Sequence, residues 1–92
     1  MIAYIKGEIA HKHPTYVIVE TYGIGYQVNI SLNTYAQIEK LERVKILTYL
    51  HIKEDSHTLY GFADDAERSL FILLLSVSGI GPNTARVVLS SM

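Results

Sequence analysis

A change of hydrophobic period at Ala63 limits most severely what this chain can become. Up to that point apolar residues alternate with polar ones, the period of a half-buried strand. Beyond it they recur at the spacing of helices. A β unit over residues 1–63 and a helical segment over residues 64–92 are therefore expected, with the boundary near Ala63.

Within the first unit, Ile2, Tyr4, Lys6 and Glu8 face one way on a strand, with Ala3, Ile5, Gly7 and Ile9 opposite. After the break at His13-Pro14, Tyr16–Glu20 forms a second strand. Tyr22-Gly23-Ile24-Gly25 reads as a glycine-marked turn, and Tyr26–Ile30 returns as a third strand, completing a meander. Ser31–Leu41 reads as a short helix, capped by Ser31 or Asn33, with Leu32, Tyr35, Ala36 and Ile38 as its apolar stripe. Val44–Ile52 and Thr58–Phe62 are further strands, joined by a polar turn over Glu54–His57. Three strands, a short helix and two strands is the element order of the OB-fold, a five-stranded barrel. The fold class expected is mainly β: that barrel, followed by a helix-hairpin-helix segment.

In the second unit, Asp64 with Glu67 three residues later resembles a capping box, and both carboxylates suit the positive end of a helix. The helix runs on to Val77 and is apolar nearly all round, as a helix buried on several sides would be. Ser78-Gly79-Ile80-Gly81 stops it, Pro82 takes the first position of the next helix, and that helix reaches Ser91. Two glycines permit positive φ, so the chain can reverse tightly between the helices. The amides of Gly81, Asn83 and Thr84 then lie at a helix N-terminus. A phosphate oxygen is their natural ligand, because N–H donors and the helix dipole act together. Without side chains at the glycines, a DNA backbone can approach. The plainer reading is a helical corner with a glycine C-cap. The apolar flanks, Leu74, Leu75 and Val77 before and Ala85, Val87, Val88 and Leu89 after, favour a helix-hairpin-helix.

Composition adds exclusions. With 49% apolar residues and 18% charged residues, a packed core is expected rather than disorder. The absence of cysteine excludes disulfides and thiolate metal sites, and makes a reducing cytoplasm the expected location. The N-terminus alternates where a signal peptide would be continuously apolar. The longest apolar run, Leu70–Leu75, is far below the roughly 18 residues that span a membrane, so no membrane association is expected. The net charge of −1 argues mildly against nucleic acid, although the local field at a phosphate matters more than the total.

No catalytic motif, P-loop or G-x-G-x-x-G occurs, and no enzyme activity or cofactor is expected. His11 and His13 could share a strand face, but no third ligand matches them, so no metal is expected. His51 and His57 read as surface residues. Asp64 and Asp65 have a capping explanation. Glu54 and Asp55 mark a solvated turn; facing DNA, they could only repel or organise it.

Taken together the chain resembles the RuvA family, the Holliday-junction-binding subunits of the bacterial RuvAB branch-migration complex, as an N-terminal fragment. The resemblance rests on Met1-Ile2 with Gly7, Gly25-Tyr26 with Val28, and Glu54-Asp55. It continues through Leu59-Tyr60-Gly61-Phe62, Glu67-Arg68 with Leu70-Phe71, and Gly79-Ile80-Gly81-Pro82 to Leu89-Ser90. It implies a homotetramer or octamer that holds four-way junction DNA open during recombination, DNA repair and the SOS response. The RuvB ATPase is engaged by a C-terminal domain absent from this chain. Glu54 and Asp55 match the family's acidic pin. The first phosphate-binding hairpin comprises Gly79, Ile80, Gly81, Asn83 and Thr84, with Arg86 one turn on. Two departures stand out. Asn83 occupies a position often basic in the family, and Arg86 is expected to replace part of that charge. The chain also ends at Met92, before a second hairpin motif, as a fragment would. The rival readings are an OB module binding single strands by stacking on tyrosines, and a barrel serving assembly alone.

Overall fold

The structure, a computed structural model, describes residues 2–91. Met1, which contributes to the resemblance, and Met92, the last residue of the helical segment, lie outside the described residues. Five strands, β1 (Tyr4–His13), β2 (Tyr16–Thr21), β3 (Ile24–Ile30), β4 (Arg43–Lys53) and β5 (Ser56–Phe62), close into a barrel in the order β1-β2-β3-β5-β4. Helix α1 (Leu32–Ile38) carries the chain between β3 and β4. As a result β5 meets β3 in parallel, while every other pairing is antiparallel. This is the OB arrangement expected. Two helices follow, α2 (Asp65–Leu75) and α3 (Pro82–Ser90).

The alternation in the strands builds the barrel interior. Ile5, Val17, Val19, Val28, Ile30 and Ile46 are buried there, and Ile38 packs onto them from α1. Gly61 leaves room for these residues: a Cβ on it would stand 2.7 Å from Ile46 Cδ1 and collide with Val28.

A second core joins the helices to the barrel. Phe71 of α2 is fully buried, with its ring centroid 4.9 Å from Phe62, 5.3 Å from Tyr60 and 5.5 Å from Tyr49. Ala85 and Leu89 of α3 complete the cluster. Away from this contact Ile72 and Leu73 of α2, Val77 of the connecting segment and Val87 of α3 are exposed.

Several boundaries differ from the sequence expectation. Strand β1 continues to His13 through a bulge between Ile9 and His11. Its first half pairs with β4 and its second with β2, so one strand serves two neighbours. The turn expected over residues 22–25 is only Tyr22-Gly23, with φ of 51° and 79°. Positive φ at both central residues gives the primed twist that suits a two-residue hairpin, and Ile24 and Gly25 join β3. Likewise Ser56 and His57 belong to β5, leaving Glu54-Asp55 alone as the β4–β5 turn. Helix α1 ends at Ile38 rather than Leu41. Helix α2 ends at Leu75 rather than Val77, because the amides of Ser76 and Val77 bond three residues back and tighten the last turn.

The capping box is only half formed. Asp64 Oδ1 accepts from the Glu67 amide at 2.8 Å, but the Glu67 carboxylate turns away toward the barrel. It accepts from Ser31 Oγ at 2.8 Å and from Thr34 Oγ1 at the start of α1. Arg68 donates to the Ala3 carbonyl oxygen at 3.2 Å. These adjacent charges thus attach α2 to the start of α1 and to the segment that leads into β1. Because Ser31 and Thr34 are buried, Glu67→Ala would leave two hydroxyls without their acceptor. A loss of about 1–2 kcal/mol is expected in denaturant unfolding; a loss below about 0.3 kcal/mol would show the carboxylate to be merely a surface group.

Candidate nucleic-acid interface

The segment between α2 and α3 turns at Gly79, whose φ of +84° places it in the left-handed region. Gly81 is the N-cap of α3 with φ −90° and ψ 172°, an extended conformation open to any residue. Of the two glycines, only Gly79 uses positive φ. Ile80 is part-buried and packs against the Phe71 cluster, and its amide donates to the Val77 carbonyl oxygen at 3.1 Å. Ile80 therefore anchors the loop from behind.

In front of that anchor, α3 begins with no side-chain cap. Pro82 has no N–H, and the first intrahelical bond runs from the Ala85 amide to Gly81 O at 2.9 Å. The amides of Gly81, Asn83 and Thr84 make no hydrogen bond among the described residues. Gly81, Asn83 and Thr84 are exposed. The helix dipole adds positive potential at the same end, so the arrangement suits an anion. Formal charge contributes little, because residues 64–92 carry two arginines against three carboxylates.

Arg86 lies behind the N-terminus rather than in front of it. One terminal nitrogen donates to the carbonyl oxygens of Ile30 at 3.2 Å and Thr15 at 3.4 Å. The other donates to Asn83 Oδ1 at 2.7 Å. Burial pushes the Tyr60 pKa up from its usual value, and the nearby Arg86 charge opposes that rise. At the far end of α3, Ser90 Oγ accepts from the Leu32 amide at 3.0 Å.

Glu54 and Asp55 form the exposed tip of the β4–β5 hairpin, with no ion pair among the described residues. Strand β5 has 7 residues between this tip and the helices, a separation of roughly 20 Å. The tip and the α3 N-terminus are therefore separate features. His13 stacks on Tyr16 at 4.8 Å. No group of three or more His, Cys, Asp or Glu among the described residues could hold a metal ion. No helix among them is long and apolar enough to cross a membrane. Sequence reasoning missed the docking roles of Glu67 and Arg68, since a charge facing a distant protein partner and one facing water look alike in a helical pattern.

Residues 1–61 match the RuvA N terminal domain family. The chain belongs to the RuvA family. Its relatives include a Holliday junction branch migration complex subunit RuvA from Cytophaga hutchinsonii, 63% identical over 92 residues, all of this chain and 46% of the relative. Proteins of the same name from Parabacteroides distasonis and Christiangramia forsetii are 58% and 55% identical over the whole chain, which covers 47% and 48% of them. The chain thus spans about half the length of the curated RuvA relatives it matches.

Proposed function

We propose that this chain binds four-way (Holliday) junction DNA as part of a non-catalytic subunit of an ATP-driven branch-migration complex acting in recombination and repair. Three exposed amides without protein partners, gathered at the start of α3 and preceded by Gly79-Ile80-Gly81-Pro82, carry the reading. Gly79, Gly81, Asn83 and Thr84 form the phosphate-facing surface, with Ile80 and Arg86 supporting it from behind. The subunit acts in the cytoplasm as a homotetramer or octamer built through the barrel. The RuvB ATPase is engaged by parts of the longer family protein beyond this half.

Electrophoretic binding to four-way, duplex and single-stranded DNA tests the proposal. Tighter binding to the four-way junction, weakening as salt rises, is expected. Single-strand affinity equal to junction affinity would favour stacking on exposed tyrosines such as Tyr4 and Tyr22 instead.

Glu54 and Asp55 serve in this proposal as a repulsive pin. Around a fourfold axis their carboxylates come together, and repulsion within a Debye length of roughly 8 Å is only partly screened. Duplex is thereby kept from lying across the centre, and separated strands are steered outward. Replacing Glu54→Gln with Asp55→Asn removes two negative charges, taking the net charge from −1 to +1. Duplex affinity is expected to rise about threefold at low salt with folding stability unchanged. Equal duplex affinity in parent and variant would reduce the tip to a solvated turn.

A further inference from the structure

Asn83 is neutral and exposed in the first turn of α3. The cation beside it, Arg86, directs its guanidinium at oxygens of the protein itself. The geometry around Arg86 gives it a different task.

Its guanidinium spans three elements. It reaches Thr15 in the β1–β2 turn, Ile30 at the end of β3, and Asn83 in the first turn of α3. Its Nε is buried with no hydrogen-bond partner among the described residues. A cation arranged to contact phosphate would keep its terminal nitrogens in water. Here those nitrogens are directed at backbone carbonyl oxygens and a side-chain amide oxygen. Ile30 N also donates to Thr15 O at 3.0 Å, so the two carbonyls that receive Arg86 are already fixed relative to each other. Planar, forked donors suit such a fixed set of oxygens, whereas a Lys ammonium does not reproduce them.

The bond to Asn83 has a second consequence. A side-chain amide has an acceptor end and a donor end. Arg86 takes the acceptor end at 2.7 Å, which leaves Nδ2 as the end with no protein partner among the described residues. That donor belongs to the same exposed residue whose backbone amide is also unpaired.

We propose that Arg86 is a positioning residue: it registers the start of α3 on the barrel and orients the Asn83 amide so that Nδ2 donates to a DNA phosphate oxygen. Arg86 itself makes no phosphate contact. This rests on the hairpin's role in DNA binding, and it deepens that role by assigning an oriented neutral donor to the phosphate.

Salt dependence separates positioning from direct charge pairing. A residue that neutralises a phosphate adds about one to the slope of log affinity against log salt, whereas a positioning residue changes affinity at constant slope. Four-way junction binding by the 92-residue chain is measured across salt for the parent, Arg86→Met and Arg86→Lys. Positioning gives roughly tenfold weaker binding in both variants with the parent's slope. Overturning results are a slope reduced by about one in Arg86→Met, or affinity restored by Arg86→Lys.

A readout without DNA accompanies this. The Asn83 side-chain NH2 resonances of the parent should show a single restricted amide, which becomes mobile in Arg86→Lys. An equally mobile Asn83 amide in parent and variant overturns the inference. If the parent itself shows no salt-sensitive DNA binding, the proposed function fails, while the resonance comparison still decides the role of Arg86. Should Arg86→Met fail to fold, Arg86→Lys and the resonances decide alone.

Discussion

Phe71→Ala is expected to cost about 3–5 kcal/mol of unfolding free energy, measured by denaturant titration. The ring is fully buried among Tyr49, Tyr60 and Phe62, and no other α2 side chain is buried as completely. Small domains have on the order of 5–10 kcal/mol in total, so this loss is a large share. It should also fall unevenly. The barrel interior is a separate cluster, whereas Phe71 holds α2 and α3 to β4 and β5. Hydrogen exchange in the variant should accelerate from Asp64 onward more than in β1 to β3. The exposed Ile72, Leu73, Val77 and Val87 point the same way, because the helices depend on one apolar contact. A cost below about 1 kcal/mol would show that Phe71 is not the anchor.

Gly81→Asp is expected to separate folding from DNA binding. Gly81 already has N-cap geometry, and a Cβ there meets nothing within 4 Å. Asp is among the best N-cap residues. Its carboxylate would accept from the Asn83 or Thr84 amide and complement the helix dipole, adding a few tenths of a kcal/mol. The same carboxylate would occupy donors proposed for phosphate and place a like charge beside it, a penalty of about 4 kcal/mol at 4 Å and an effective dielectric of 20. The melting temperature should stay level or rise while junction affinity falls about a thousandfold, the equivalent of that penalty. Unchanged affinity in a folded Gly81→Asp protein would remove the α3 N-terminus from the interface.

Strand and helix types were legible from the hydrophobic period, which turns helical briefly after Ser31 and then for the rest of the chain beyond Ala63. Closure of the barrel followed from element order. Where the boundaries moved, local hydrogen bonding decided the outcome, as at the Tyr22-Gly23 turn and the tightened end of α2. The hairpin was legible from its glycines and proline, which have few uses between two helices. The directions of long charged side chains were not. Glu67 reads as a cap and binds hydroxyls at the start of α1 instead, and Arg86 reads as a surface cation and reaches the carbonyls of Thr15 and Ile30. Both contacts join residues more than 30 positions apart, and no periodicity along a helix encodes them. The pin role proposed for Glu54-Asp55 comes from the resemblance alone, because the residues themselves present only a polar turn.

Amide chemical shifts of the 15N-labelled chain, followed as four-way junction DNA is added at low salt, test the central claim most directly. The backbone amides of Gly81, Asn83 and Thr84 should move furthest, with Gly79 close behind and the exposed Tyr4 and Tyr22 regions little changed. Largest shifts along the tyrosine-bearing strands, with the start of α3 unmoved, would contradict the account.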